Sequence, residues 1–170
     1  GEIYFYLGYN KLKKKDFEGA IKELTIAIEK NYALDYSYHS RGHAKKGIED
    51  YTGAIEDYSK VIEIDPKDDD AIRDRAHVKY NLKDYQGAID DLTKLIELKP
   101  DENTAFEKRA EAKGVLGDYQ GAIDDYTKTI EMNGDLKEEM EEQGVDLNNK
   151  DSVKTFIIKK FNLKDNNINK

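Results

Sequence analysis

The stretch DYQGAIDDLTKLIELKP, Asp84 to Pro100, decides the reading of this chain, because close relatives of it recur at one fixed spacing. The copies open at Asp16 (DFEGAIKELTIAIEKN), Asp50 (DYTGAIEDYSKVIEIDP), Asp84 and Asp118 (DYQGAIDDYTKTIEMN), each 34 residues from the last with no insertion. A repeat this regular predicts a stack of like units, whose core is shared between neighbours. Within each copy the apolar residues follow a helical period. The second copy shows it in Tyr51, Ala54, Ile55, Tyr58, Val61 and Ile62, and the fourth in Tyr119, Ala122, Ile123, Tyr126 and Ile130. Asp16, Asp50, Asp84 and Asp118 stand where a side-chain oxygen caps free backbone N–H groups, while Pro66 and Pro100 close the second and third copies.

Working outward, the segments between these helices also read as helical: Ile3–Lys14, Tyr36–Lys46, Asp70–Leu82 and Asn103–Leu116. They are A helices and the opening stretch is a B helix. Numbering each repeat from Gly1, Asp35, Asp69 and Asn103, position 8 holds Gly8, Gly42, Ala76 and Ala110, and position 20 holds Ala20, Ala54, Ala88 and Ala122. Small residues at both places let the helices of a pair approach closely. Gly19, Gly53, Gly87 and Gly121 recur at a cost of roughly 1 kcal/mol each relative to alanine, which implies a packing reason that the sequence does not disclose.

Composition narrows the function. Charged residues make up 38% and the formal net charge is −8, which argues against nucleic acid, whose phosphates call for basic patches. There is no cysteine, so disulfides, thiolate metal sites and thiol catalysis are excluded. No apolar run approaches the ~20 residues of a membrane span, so no membrane insertion is expected. The start at Gly1 without methionine suggests an N-terminal truncation, and a cytoplasmic location is the expectation. No phosphate loop, nucleophile motif or metallohydrolase motif is present, and nothing asks for a cofactor. The paired acids Glu56-Asp57, Asp90-Asp91 and Asp124-Asp125 are neighbours in sequence, pointing about 100° apart on a helix, and do not converge on a substrate.

The period, the small residues at positions 8 and 20, the aromatics at 17, the large residues Leu24, Tyr58, Leu92 and Tyr126, and the two prolines together resemble the tetratricopeptide repeat family. The departures are Tyr4, Tyr38, Ile72 and Phe106 where the family often has tryptophan, and Lys11, Lys45, Lys79 and Lys113 in place of its usual tyrosine. The resemblance implies an all-α, right-handed superhelical solenoid of antiparallel helix pairs. Four repeats are expected over residues 1–136 (1–34, 35–68, 69–102 and 103–136). Residues 137–170 then form a C-terminal cap or a degenerate fifth repeat, with Val153, Phe156, Ile157 and Phe161 of a helix over Ser152–Phe161 covering the fourth repeat and a frayed polar end after it.

The resemblance further implies a concave groove, lined by the A helices, in which a peptide or helix of another protein binds. The groove candidates are Phe5, Tyr6, Tyr9, His39, His43, Arg73, Asp74, His77, Glu107, Lys108 and Glu111. Unlike the scaffold positions, these differ from repeat to repeat, running from aromatic through histidine and arginine to mixed charge. The family's clamp for the carboxylate of chaperone tails is missing, since its positions hold Phe5, Tyr9, Ser40, Asp70 and Asp74. His39 and His43, one helical turn apart, with His77 or Asp74 beyond, form a candidate metal set, although neighbouring helices about 8 to 10 Å apart weigh against it. Position 7 carries Arg41, Arg75 and Arg109 and position 23 carries Glu23, Asp57 and Asp91. Pairing between adjacent repeats (Glu23–Arg41, Asp57–Arg75, Asp91–Arg109) is expected, with pairing inside a repeat (Arg41–Asp57, Arg75–Asp91, Arg109–Asp125) as the rival. The expected function is a non-catalytic protein-interaction scaffold; the alternatives are the regulatory or targeting arm of a larger protein, or a self-associating module stacking through its terminal repeats.

Overall fold

A computed structural model describes residues 1–146 and 149–160. Among the described residues the secondary structure is entirely helical: α1 Glu2–Lys13, α2 Phe17–Glu29, α3 Leu34–Gly47, α4 Tyr51–Ile64, α5 Asp69–Asn81, α6 Tyr85–Leu98, α7 Asn103–Leu116, α8 Tyr119–Met132, α9 Gly134–Glu142 and α10 Lys150–Lys160. The expected A helices are α1, α3, α5 and α7, and the B helices are α2, α4, α6 and α8. Contacts divide the chain into two bodies, residues 1–84 and 85–170.

In the first body α1 packs on α2, α2 on α3, α3 on α4 and α4 on α5. Asp16 and Asp50 cap α2 and α4 as expected, accepting from the N–H of Gly19 and Gly53 at 3.0 Å. The geometry supplies the missing reason for the recurring glycines. A Cβ at Gly19 or Gly53 would lie 2.2 or 2.3 Å from the capping carboxylate, which fills the space a side chain would need. Position 8 behaves as predicted, since a Cβ on Gly8 would meet Leu24 at 2.6 Å and one on Gly42 would meet Tyr58 at 2.8 Å. Ala20, Leu24 and Ala44 form one core cluster, with Phe5, Leu12, Phe17 and Ile21 against it, and Ala54, Tyr58 and Val78 form another.

In the second body α6 packs on α7, α7 on α8, and both α9 and α10 on α8. Phe156 and Ile157 of α10 and Met140 of α9 are buried with Tyr126, Ile123 and Ile130 of α8. Helix α10 runs over Lys150–Lys160; Phe161 and the tail after it lie outside the described residues. Helix α9 was not foreseen. Its sequence, GDLKEEMEE, is too polar to show a helical stripe, yet Met140 is fully buried beneath it.

The expected pairing between repeats is overturned. Arg41 makes a two-pronged ion pair with Asp57 of its own repeat, Nε–Oδ2 at 2.8 Å and Nη2–Oδ1 at 2.7 Å, and Arg109 does the same with Asp125 at the same distances. Glu23 instead takes Lys11 at 3.0 Å. The arginines do reach back one repeat, but to a hydroxyl: Arg41 Nη1 donates to Thr25 at 3.0 Å, Arg75 to Ser59 at 3.0 Å and Arg109 to Thr93 at 3.1 Å. Position 25 is a hydroxyl in every repeat, Thr25, Ser59, Thr93 and Thr127. The first repeat, with none before it, carries Leu7 at position 7.

Candidate functional site

Helices α1, α3 and α5 of the first body hold eight of the candidate groove residues. On α1, Phe5 lies 5.3 Å from Tyr6 in an edge-on pair and 6.1 Å from Tyr9 in a stacked one, between ring centroids. Phe5 is half-buried against the first core cluster and Tyr32, so it serves the scaffold as well as the surface. Tyr6 is 53% exposed and Tyr9 38%, with Ile3 of the same helix also open to solvent, leaving an uncovered aromatic patch on α1. Lys13 Nζ lies 4.8 Å from the Tyr9 ring, a cation over its electron-rich face.

On α3 and α5 the structure draws the polar candidates together. His39 Nε2 lies 3.1 Å and His43 Nε2 3.2 Å from the same oxygen, Oδ2 of Asp74. Lys46 Nζ donates to the other oxygen, Oδ1, at 3.0 Å. The one-turn spacing of the histidines puts both rings on the face of α3 toward α5, with ring centroids 4.8 Å apart. Tyr58 of α4 lies edge-on to both, at 5.5 and 5.8 Å. Its side chain is fully buried and its hydroxyl has no hydrogen-bond partner. Burial, with the Asp74 and Asp57 charges adding to it, pushes the Tyr58 phenol far above its ordinary range, so it stays protonated. Burial alone would raise the Asp74 carboxyl as well. The hydrogen bonds from His39 and His43, the His43 charge and the bond from Lys46 together outweigh that and hold Asp74 well below the usual carboxylate range.

The remaining candidates stand apart from this cluster. Arg73 bonds to Asp70 and, at 3.0 Å, to Asp69 on its own helix, and His77 is exposed. Of the two third members left open by the sequence, His77 and Asp74, the structure brings Asp74 to the histidine pair. His39, His43 and Asp74 place their ligand atoms within 4.8 Å of one another, and His77 is not among them. The role of Lys46 was not foreseen; its sequence signal is weak, a lysine one turn beyond His43. In the second body, α7 presents Glu107, Lys108 and Glu111, with Lys108 Nζ 2.9 and 3.1 Å from the two carboxylate oxygens of Glu111.

Helix pairs repeated at 34 residues, with small residues at the crossing and an arginine–carboxylate bond within the pair, define a class of helical-hairpin repeat protein. Residues 36–68 and 74–102 match the tetratricopeptide repeat family model, so these residues carry tetratricopeptide repeats. The structure is similar to a crystal structure of MamA protein, with TM-score 0.74 and 23% identity over 94% of this chain and 88% of that chain. It is also similar to YrrB, described as a TPR protein with an unusual peptide-binding site, with TM-score 0.71 and 16% identity over 78% of this chain and 68% of that one. The first TPR of Spaghetti (RPAP3), bound to the HSP90 peptide SRMEEVD, gives TM-score 0.58 and 20% identity over 75% and 90%. These likenesses place the fold among tetratricopeptide-like α-solenoids. No curated protein matches the sequence. Among the described residues no helix is long and apolar enough to cross a membrane.

Proposed function

We propose that the chain is a non-catalytic scaffold that holds a peptide or helix of a partner protein against its A helices, with an apolar side chain of the partner seated on Tyr6 and Tyr9. The observation that carries this reading is the exposed aromatic patch of α1, where Ile3 is 73% and Tyr6 53% exposed. Apolar area of this kind, next to polar side chains already arrayed on α3 and α5, is what a peptide covers with one anchor while the rest of it finds hydrogen bonds. Tetratricopeptide repeats are in general protein-interaction folds, and two of the similar structures are described by the peptides or peptide sites they carry. His43, Arg73 and His77 give the polar side of the surface. On α7, Glu107, Lys108 and Glu111 offer a second, mixed-charge surface to the same kind of partner.

A random peptide library displayed on phage and selected on the immobilised chain tests this. Selected peptides share an aromatic or large aliphatic anchor, and their affinity falls at least about tenfold on the variant Tyr6→Ala/Tyr9→Ala, a loss of about 1.4 kcal/mol, within the range of a single interface hot spot. Thermal unfolding of the variant stays close to that of the parent. Selected peptides that bind parent and variant alike would place the binding surface elsewhere.

A further inference from the structure

We propose that His39, His43 and Asp74 form a binding site for one divalent transition-metal ion, with zinc the best match. The inference goes beyond peptide binding and stands without it. Three features support it, and the first is the donor set. Two imidazole nitrogens and one carboxylate oxygen, leaving an open position for solvent, suit zinc and its neighbours in the first transition row and not calcium or magnesium, which take oxygen ligands.

The second is spacing. In a tetrahedral site with bonds of about 2.0 to 2.1 Å, adjacent ligand atoms lie about 3.3 Å apart. His39 Nε2 and His43 Nε2 already lie 3.1 and 3.2 Å from Asp74 Oδ2, and all three ligand atoms fall within 4.8 Å. Each contact is now a hydrogen bond to the carboxylate. With the ring proton on Nδ1 the Nε2 lone pair is free to bind an ion, which then takes the place of the two hydrogen bonds. The two imidazole nitrogens, within 4.8 Å of each other, then have only to draw together to about 3.3 Å around the ion.

The third is support. Lys46 holds Asp74 Oδ1 at 3.0 Å, which fixes the carboxylate with Oδ2 toward the histidines. The Tyr58 ring lies edge-on to both imidazoles, and its fully buried hydroxyl lacks a partner. That hydroxyl is a buried polar atom with no hydrogen-bond partner, on a ring that abuts both imidazoles. The side chains of His39, His43 and Asp74 remain 23%, 37% and 22% exposed, so an ion reaches them from solvent.

Titration of the full chain with zinc chloride by calorimetry, and with cobalt(II) chloride by visible absorption, tests the site. One zinc ion binds per chain, and cobalt gives the d–d bands of a low-coordinate nitrogen–oxygen site. Each of His39→Gln, His43→Gln and Asp74→Asn weakens zinc binding by at least about 10- to 100-fold, the loss usual when even an outer partner of a metal ligand is removed, and His77→Gln leaves it unchanged. Circular dichroism of each variant establishes that it is folded, and His43→Gln, at the more exposed position, serves if His39→Gln is not. The proposal is overturned if the parent chain shows neither heat nor a cobalt spectrum, if Asp74→Asn binds zinc like the parent, or if binding survives in His39→Gln/His43→Gln. Loss of zinc binding leaves the peptide-anchor experiment on Tyr6 and Tyr9 untouched, so the two readings fail separately.

Discussion

The second and fourth repeats share one polar skeleton and carry different faces. In both, an arginine at position 7 grips the position-23 aspartate with the same pair of bonds, 2.8 and 2.7 Å long, and reaches back to a threonine. In both, the lysine at position 11 joins the same aspartate, Lys45 to Asp57 at 3.1 Å and Lys113 to Asp125 at 2.8 Å. Eight residues on, the same lysines also bond to the carbonyls of Gly53 and Gly121. Positions 5 and 9 diverge completely, with His39 and His43 against Glu107 and Glu111. What is repeated closes the helix pair through ion pairs and hydrogen bonds, and what is varied lies outside that polar skeleton. The lysine that departs from the family's tyrosine at position 11 belongs to the first group: it is a structural cation, not a groove residue.

The comparison is broken most easily at the shared aspartate. Asp57 and Asp125 have side chains only 2% and 5% exposed, and each neutralises an arginine and a lysine that are themselves mostly covered. Hydrogen bonding to Asp57 pushes the Arg41 guanidinium above its ordinary value against the opposing effect of burial, and a guanidinium keeps its charge even when its partner is lost. Asp57→Ala and Asp125→Ala are each expected to cost about 3 to 5 kcal/mol, the penalty for leaving a buried charge alone. Urea unfolding checks this, and near-equal losses are the expected outcome. A loss below about 1 kcal/mol at either site would put the pair in the class of exposed ion pairs and remove it from the skeleton.

A smaller effect tests the link between repeats. Thr25→Val removes the acceptor of Arg41 Nη1, and Thr93→Val that of Arg109 Nη1. Each change keeps the shape and removes one hydrogen bond to a charged group, for an expected loss of about 1.5 to 3 kcal/mol. In a double-mutant cycle, Thr25→Val and Arg41→Met should couple, whereas Thr25→Val and Arg109→Met should be additive. Additivity in the first cycle would mean that the hydroxyl is incidental.

How far these features were legible depends on whether one residue or several had to be read together. The 34-residue period, the small residues at positions 8 and 20 and the capping aspartates each state their role alone, because helix crossing and capping demand particular side chains at particular places. The arginine pairing failed as a sequence inference because positions 16 residues apart in one repeat and 18 apart across two are equally good on paper. The hydroxyl at position 25, also periodic, was the clue that both links are used. At the candidate metal site, the histidine pair was readable from its one-turn spacing. That Asp74 rather than His77 completes it depends on which face of α5 turns to α3, and both residues are plausible ligands until the packing of Ala71, Ile72, Ala76 and Val78 orients the helix. Helix α9 was invisible for a simpler reason, since one buried methionine makes no period.

The turn between A and B helices gives the finest test, because here the two repeats differ in sequence while the backbone does not. Position 15 adopts a left-handed conformation in every repeat: Lys15 has φ 61°, Glu49 63°, Lys83 63° and Gly117 87°. The conformation is imposed by the junction, where Asp50 N–H donates back to Lys45 O and Asp118 N–H to Lys113 O, both at 2.9 Å, closing the helix end. A side chain in that region costs roughly 1 to 2 kcal/mol, which only the fourth repeat avoids. Glycine also widens the unfolded ensemble, by about 0.4 to 1 kcal/mol, so the gain from inserting it is the difference. Glu49→Gly should therefore stabilise by up to about 1.6 kcal/mol, and Gly117→Glu should destabilise by a similar amount, read as opposite shifts of the urea midpoint at unchanged slope. If Glu49→Gly instead destabilised the chain, the Glu49 side chain would hold a contact that Gly117 has no counterpart for, and the two repeats would differ in their skeleton as well as in their faces.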